Sequence, residues 1–419
     1  MNFSNELSFA AEADEKDPLK HFRKKFFIPK HTDGSDVIYL AGNSLGLQPK
    51  TVKDYLEQEL KDWAEFAVEG HTKAKNPWLA YHEYLTSQTA KIVGAKNEEV
   101  VNMNSLTTNL HLLFVSFYRP EKNKHKILIE SNSFPSDYYA VESQIKYHGY
   151  DVAESLIEIR PREGEDKVRT EDIEELIERE GDEIALIWMA GVNYYSGQAF
   201  EMEKIVKAGH KKNCIVGFDL AHAAGNIELK LHEWDADFAV WCNYKYLNGG
   251  PGAIGGAFVN ERHLNDRTIP KLLGWWGHDK KTRFLMDHKY IPIPTVESWQ
   301  LSNPPILQLA SLRASLDIFE EAGMSALRKK SEMMTSYMEF LIKEESNSGI
   351  QIITPAEKNE RGCQLSLRIA ENGKAKFRRL LDRGVICDWR EPDVIRAAPV
   401  PLYNSFEDVK RFVGILSEV

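Results

Sequence analysis

The sequence predicts an α/β protein: a mostly parallel central sheet sandwiched by helices, followed by a smaller α+β domain. Three observations predict it. Short, continuous apolar runs recur through the middle of the chain, as in strands buried on both faces. Amphipathic helical stretches lie between several of them, and such alternation implies parallel strands with helices on both sides. With 419 residues the chain also exceeds what one hydrophobic core usually supports, so two domains are expected.

Taken in order, the first twenty residues are polar and are expected to be loosely ordered. Helical periodicity marks 51–68 through Val52, Tyr55, Leu56, Leu60, Trp63 and Ala67. The runs 126–130, 184–189, 214–218, 238–242 and 256–259 read as strands. Between them, Thr170 can cap a helix over 170–180 whose Ile173, Leu176 and Ile177 share a face. From Pro305 the character changes: helices over 306–321 and 325–345 lead into strands at 350–353, 363–369 and 394–398. A last helix carries Phe406, Val409, Phe412, Val413 and Leu416 on one face. The expected division is a large domain over 51–305 and a small α+β domain over 306–419, with segment 1–50 joining the small one.

Bulk composition narrows the function classes. Hydrophobic residues make up 42% and charged residues 28%, an ordinary globular profile, and the formal net charge is −10. A nucleic-acid footprint, which would need a basic patch, is not expected. No apolar run approaches a membrane span, and Met1 to Glu6 lacks the features of a signal peptide, so a cytoplasmic location is expected. Cys214, Cys242, Cys363 and Cys387 lie in or beside apolar runs and read as buried hydrophobes, with no CxxC or HxxxH spacing to suggest a metal.

The chemistry begins with two strand ends. Asp219, in Phe218-Asp219-Leu220-Ala221-His222, follows one apolar run; Tyr244-Lys245 follows the next. Ligands of parallel sheets sit beyond the carboxyl ends of the strands, where these two residues fall. Singly, such an Asp is more often a turn or cap residue, and such a Lys is usually solvated. Together, with the glycine-rich Asn248-Gly249-Gly250-Pro251-Gly252 close behind, they match the needs of pyridoxal phosphate. A lysine forms a Schiff base with its aldehyde, and an aspartate keeps the pyridine nitrogen protonated.

Other candidates surround this pair. Ser105 to Leu112 places hydroxyls ahead of an apolar helical stretch, suited to a phosphate at a helix N-terminus, although Thr107 also reads as an N-cap. Phe134-Pro135-Ser136-Asp137 offers an aromatic to stack on a ring and a carboxylate for its hydroxyl, or simply a turn that caps the helix 137–148. The glycine-flanked pair Trp275-Trp276 suggests an interface or a ligand. Arg396, in a probable strand, could clamp a carboxylate, or could form an ordinary surface ion pair.

These motifs resemble the kynureninase family of the class V aminotransferase superfamily, from about Tyr39 to the C-terminus. The resemblance is carried by Gly42-Asn43-Ser44-Leu45-Gly46-Leu47-Gln48-Pro49, Asn109-Leu110-His111-Leu112-Leu113, Phe134-Pro135-Ser136-Asp137 and Phe218 to His222. It continues through Tyr244-Lys245-Tyr246-Leu247-Asn248, Ser302-Asn303-Pro304-Pro305-Ile306, and the long run from Ile395 to Ser405.

The resemblance implies a pyridoxal phosphate fold of type I. It makes Lys245 the Schiff-base lysine and Asp219 the partner of the ring nitrogen. Leu106, Thr107 and Asp137 contact the cofactor, and Phe134 stacks on its ring. His222 supports the Asp219 region, Tyr244 and Trp275 reach the phosphate, and Ala190 stands at a contact position where related enzymes can carry Ser. Asn303 would come from the partner subunit of a homodimer, Arg396 would hold the substrate α-carboxylate, and His71, Ser302 and Asn303 would line the aromatic-ring pocket. The implied reaction is hydrolysis of L-kynurenine or 3-hydroxy-L-kynurenine to L-alanine and anthranilate or 3-hydroxyanthranilate, with Lys245, Tyr244 and Asp219 as catalytic residues, in tryptophan catabolism and NAD precursor synthesis. The alternatives are a cysteine desulfurase or aminotransferase of the same superfamily, or a non-catalytic scaffold with this fold.

Overall fold

The computed structural model describes residues 3–345 and 349–419. In chain order the strands are β1 (Ile38–Tyr39), β2 (Val100–Asn102), β3 (Lys126–Glu130), β4 (Leu156–Ile159), β5 (Ile184–Ala190), β6 (Ile215–Asp219), β7 (Phe238–Cys242) and β8 (Gly255–Val259). They are followed by β9 (Ile350–Ile352), β10 (Leu365–Ile369), β11 (Val385–Ile386), β12 (Asp388–Arg390) and β13 (Val394–Ala397).

A seven-stranded sheet runs in the order β2-β8-β7-β6-β5-β3-β4. From β4 to β7 all neighbours are parallel; β8 is antiparallel to both β7 and β2. Helices cover both faces, and side-chain alternation shows it: along β7, Phe238 and Val240 enter one core cluster while Ala239 and Trp241 enter the other. This is the expected α/β architecture. Two strands escape the sequence pattern for physical reasons. β2 is three residues long, and β4 is a half-exposed sheet edge. The helix Thr170–Glu180 buries Ile173, Leu176 and Ile177, but its N-cap is Arg169, so Thr170 is its first residue and not its cap.

Strands β12-β13-β10-β9 form a four-stranded antiparallel sheet. Helices Met324–Glu345 and Phe406–Glu418 share its core cluster. Gly323, at φ 74°, breaks the long helical stretch into Ile306–Ala322 and Met324–Glu345. The helix Ile306–Ala322 packs against Val52–Phe66.

The N-terminus corrects the expectation of loose order. Leu7–Lys16 is a helix with Ala10 fully buried, and Phe3 and Phe9 pack on Tyr337 at 5.6 and 5.2 Å. Asp14 accepts hydrogen bonds from the Phe406 and Glu407 N–H groups at 2.7 and 3.0 Å, capping the last helix, and Lys330 meets the buried Asp17 at 2.7 Å. β1 then pairs in parallel with β11. A low apolar count hid the three side chains that anchor this segment.

Helix Val52–Phe66 brings a second correction. Leu60 and Trp63, placed on its apolar face by periodicity, are 47% and 60% exposed, whereas Glu59 and Asp62 are buried. The two carboxylates accept hydrogen bonds from Asn76, Trp78 and the Lys75 N–H at 2.9–3.0 Å, tying down the following segment. Among the described residues no helix is long and apolar enough to cross a membrane.

Candidate active site

The ends of β3, β5, β6 and β7 deliver Glu130, Ala190, Asp219 and, just beyond Cys242, Lys245 to one edge of the sheet. They border a cavity of about 260 Å³. Nine of the expected residues line it: Leu106, Thr107, Phe134, Asp137, Ala190, Asp219, His222, Tyr244 and Lys245. Phe134 offers one face of a planar ligand an aromatic wall beside the Lys245 amine, its centroid 5.7 Å from Nζ.

Lys245 Nζ lies 3.0 Å from His222 Nε2. Burial, then the Lys245 charge, pushes the His222 pKa well below its ordinary value, so the imidazole is neutral and can accept from the amine. His222 Nδ1 is buried and has no partner among the described residues. Asp219 accepts the Ala221 N–H at 2.7 Å and exchanges a side-chain hydrogen bond with Asp137, which also accepts from Trp188 Nε1 at 3.3 Å. Burial raises both acids. Asp137, further raised by the neighbouring Asp219 charge, is the one that keeps the proton. Asp219 is therefore the carboxylate, drawn down by Lys245.

Helix Leu106–Phe117 begins beside the cavity, and the first turn of a helix leaves N–H groups without intrahelical partners. Its N-cap is Ser105, without a side-chain cap bond, so the alternative reading of Thr107 as the N-cap is corrected. The helix after Phe134 starts at Pro135 rather than 137, which puts Asp137 in its first turn, turned inward. An acid pair, an amine, an aromatic wall and a helix N-terminus around one cavity, with an unpartnered imidazole nitrogen, fit pyridoxal phosphate: ring nitrogen at Asp219, aldehyde at Lys245, phosphate at Leu106 and Thr107.

Five expected residues do not line this cavity. Arg396 on β13 is 1% exposed, so the surface ion pair considered for it is corrected to a buried one. It pairs with Asp388, which also takes a short hydrogen bond from the Ser44 hydroxyl, and it donates to the Tyr194 carbonyl at 2.7 Å. Its Nε has no partner among the described residues. Tyr194, a cavity-lining residue, meets Phe134 edge-on at 5.2 Å and connects Arg396 to the site. Trp275 is 47% exposed and its Nε1 donates to the Arg283 carbonyl. Ser302 and Asn303 are exposed, and His71 is half-buried against Trp78.

Residues missed from sequence are Glu130, Trp188, Tyr194, Ser44 and Asp388. Glu130 carried a usable signal, an acid ending a buried parallel strand as Asp219 does. The others act through contacts between distant segments.

Gly46 ties the N-terminal segment to this site. Its N–H donates to the Tyr244 carbonyl at 2.8 Å, and a Cβ there would lie 2.4 Å from the Lys245 carbonyl oxygen and 2.8 Å from Asn248 Cα. Gly46→Ala is expected to cost about 1–3 kcal/mol of stability and to loosen cofactor binding, because backbone must move. Thermal melts and cofactor titration check this; an unchanged Tm and affinity would remove the coupling.

Sequence and structure comparisons agree on a relationship. A family described as the kynureninase C-terminal domain matches residues 327–416. The chain is 58% identical to a kynureninase of Koribacter versatilis, covering 98% of this chain and 97% of the relative. It is 51% identical to the kynureninase of Mus musculus, covering 98% and 92%. Among solved structures, an apo cysteine desulfurase from Thermococcus onnurineus superposes with a TM-score of 0.76 at 18% identity, covering 97% of each chain. A cysteine desulfurase of Escherichia coli gives 0.77 at 15%, covering 96% and 98%. At such identity these structures establish the fold alone. All four cysteines here are buried, with burial pushing the Cys214 thiol up to about 11 and Cys363 to about 12. The mobile thiolate a desulfurase needs is not offered.

Proposed function

This chain belongs to the kynureninase family, and from that membership we propose how its own residues carry out the family reaction. The protein is a pyridoxal-phosphate-dependent hydrolase that cleaves kynurenine to L-alanine and an anthranilate. The observation that carries the assignment of roles is the convergence of Lys245, Asp219 and Phe134 on one cavity.

Bound there, the cofactor supplies an aldehyde and a ring that accepts electrons from the substrate. Lys245 would hold the aldehyde, and its amine is placed to take the substrate's α-proton; His222 at 3.0 Å steadies that amine. Asp219 keeps the ring nitrogen protonated, and Asp137, holding its own proton, fixes Asp219 in place. Leu106 and Thr107 present the helix N-terminus to the phosphate. Burial raises the Tyr244 pKa, so its phenol keeps its proton and can deliver it when the Cβ–Cγ bond breaks. Arg396, with Nε still to be satisfied, holds the α-carboxylate.

The working division assigns 51–305 to the cofactor and 306–419, joined by 1–50, to the carboxylate clamp, with helix Ile306–Ala322 bridging the two. We place the protein in a homodimer in which Asn303, with the equally exposed Trp275 and Ser302, completes the partner's cavity. The exposed Leu60, Trp63, Leu285 and Met286 support an apolar contact between copies. Incubation with kynurenine and pyridoxal phosphate, read by anthranilate fluorescence and alanine release, tests the reaction. A keto acid product in place of alanine would point to transamination.

His71, Ser302 and Asn303 supply polar groups for a ring hydroxyl. 3-Hydroxykynurenine is therefore expected to show a kcat/KM about tenfold above kynurenine, the ratio one hydrogen bond of about 1.4 kcal/mol supplies. A higher value for plain kynurenine rejects this pocket assignment.

A further inference from the structure

The site holds a third buried carboxyl group that the reaction described above does not use. Glu130 ends β3, is 2% exposed and borders the cofactor cavity. Its Oε2 accepts the Ala190 N–H at 3.2 Å. Ala190 is the register partner of Asp219 on the adjoining strand, and the Gly191 N–H donates to the Asp219 carbonyl at 2.7 Å. Glu130, Ala190 and Asp219 thus stand side by side across β3, β5 and β6. The acid braces the strand end against which Asp219 is set.

Charge decides its form. The groups facing Glu130 on the cavity side are Asp137 and Asp219, with His222, Tyr244 and Lys245 beyond them; on the other side Glu165, Asp166, Tyr195 and Arg368 line a smaller cavity that Glu130 also borders. Among the ionisable groups of the cofactor cavity Lys245 is the only cation when His222 is neutral. Three carboxylates cannot all ionise around one cation in a water-excluded site.

We propose that Glu130 is a positioning residue that works as an uncharged acid, bracing β5 beside Asp219 and leaving Asp219 the sole carboxylate for the cofactor's ring nitrogen. The inference rests on the assignment of Asp219 and Lys245 made above. Burial, with the Asp219 charge adding to it, pushes the Glu130 pKa up to about 8, which agrees with this form. The folded state therefore binds a proton that the unfolded chain releases near its ordinary value of 4.5. Stability is lost as pH rises from that value toward 8, and the loss is complete above 8.

The test compares wild type with Glu130→Gln, which keeps the shape and the acceptor but cannot ionise. In apo-protein melts, the Tm of Glu130→Gln relative to wild type should climb between pH 5 and pH 8 and then level off. This readout needs neither cofactor nor turnover, so it stands even if the roles of Lys245 and Asp219 fail. In the holoenzyme, the alkaline fall of kcat/KM should move up by about one pH unit in Glu130→Gln, while Glu130→Ala should lose cofactor at least tenfold more readily than Glu130→Gln. A Tm difference that is flat with pH, or a Glu130→Gln protein that does not fold, overturns the proposal. So does Glu130→Gln failing to hold cofactor better than Glu130→Ala.

Discussion

Lys245→Ala lowers kynurenine turnover by about four orders of magnitude or more while leaving the fold intact. The size follows from losing both the amine that holds the cofactor and the base that takes the α-proton; a positioned base alone supplies about 10²–10⁴-fold. Folding survives because the amine's nearest partner, His222, is a neutral imidazole, and the buried Asp219, which loses the Lys245 cation, can take up a proton instead of staying an unpaired charge. Anthranilate fluorescence measures the loss, and an unchanged melting curve excludes unfolding as its cause. Turnover within tenfold of wild type would end the assignment of Lys245.

Arg396→Ala is expected to act twice. It removes a buried cation from Asp388, and breaking a buried pair costs about 3–5 kcal/mol. Arg390, 3.1 Å from the same carboxylate, remains to soften that cost toward the lower figure. It also removes the clamp on the substrate carboxylate; a charged hydrogen bond is worth about 1.5–3 kcal/mol, so kcat/KM should fall about 10- to 100-fold through KM. The double variant Arg396→Ala/Asp388→Asn separates the effects. Removing the stranded carboxylate should restore the melting temperature and leave the KM defect. If the double variant also recovers KM, Arg396 serves the fold alone.

The catalytic pair was legible in the sequence because strand ends are. Asp219 and Lys245 each follow a run too apolar to be anything but interior, so their placement at one sheet edge follows from the α/β alternation. Glu130 stands at the end of an equally apolar run. The same strand-end signal marks it; what no local pattern shows is that burial beside Ala190 and Asp219 raises its pKa. Ser44 and Asp388 meet across more than three hundred residues, and no spacing rule reaches that far. Leu60 and Trp63 misled for the opposite reason. Their periodicity is genuine, but it faces outward, while Glu59 is held inside by Asn76 and Trp78 and Asp62 by the Lys75 N–H.

The contact of Gly46 with the Lys245 turn bears on how the enzyme comes into being. Three stretches far apart along the ribosome's product must meet before chemistry is possible: the strap around Gly46, the turn around Lys245 and the late strand bearing Arg396. A grip on the substrate's carboxylate is thereby postponed until β13 has been synthesised.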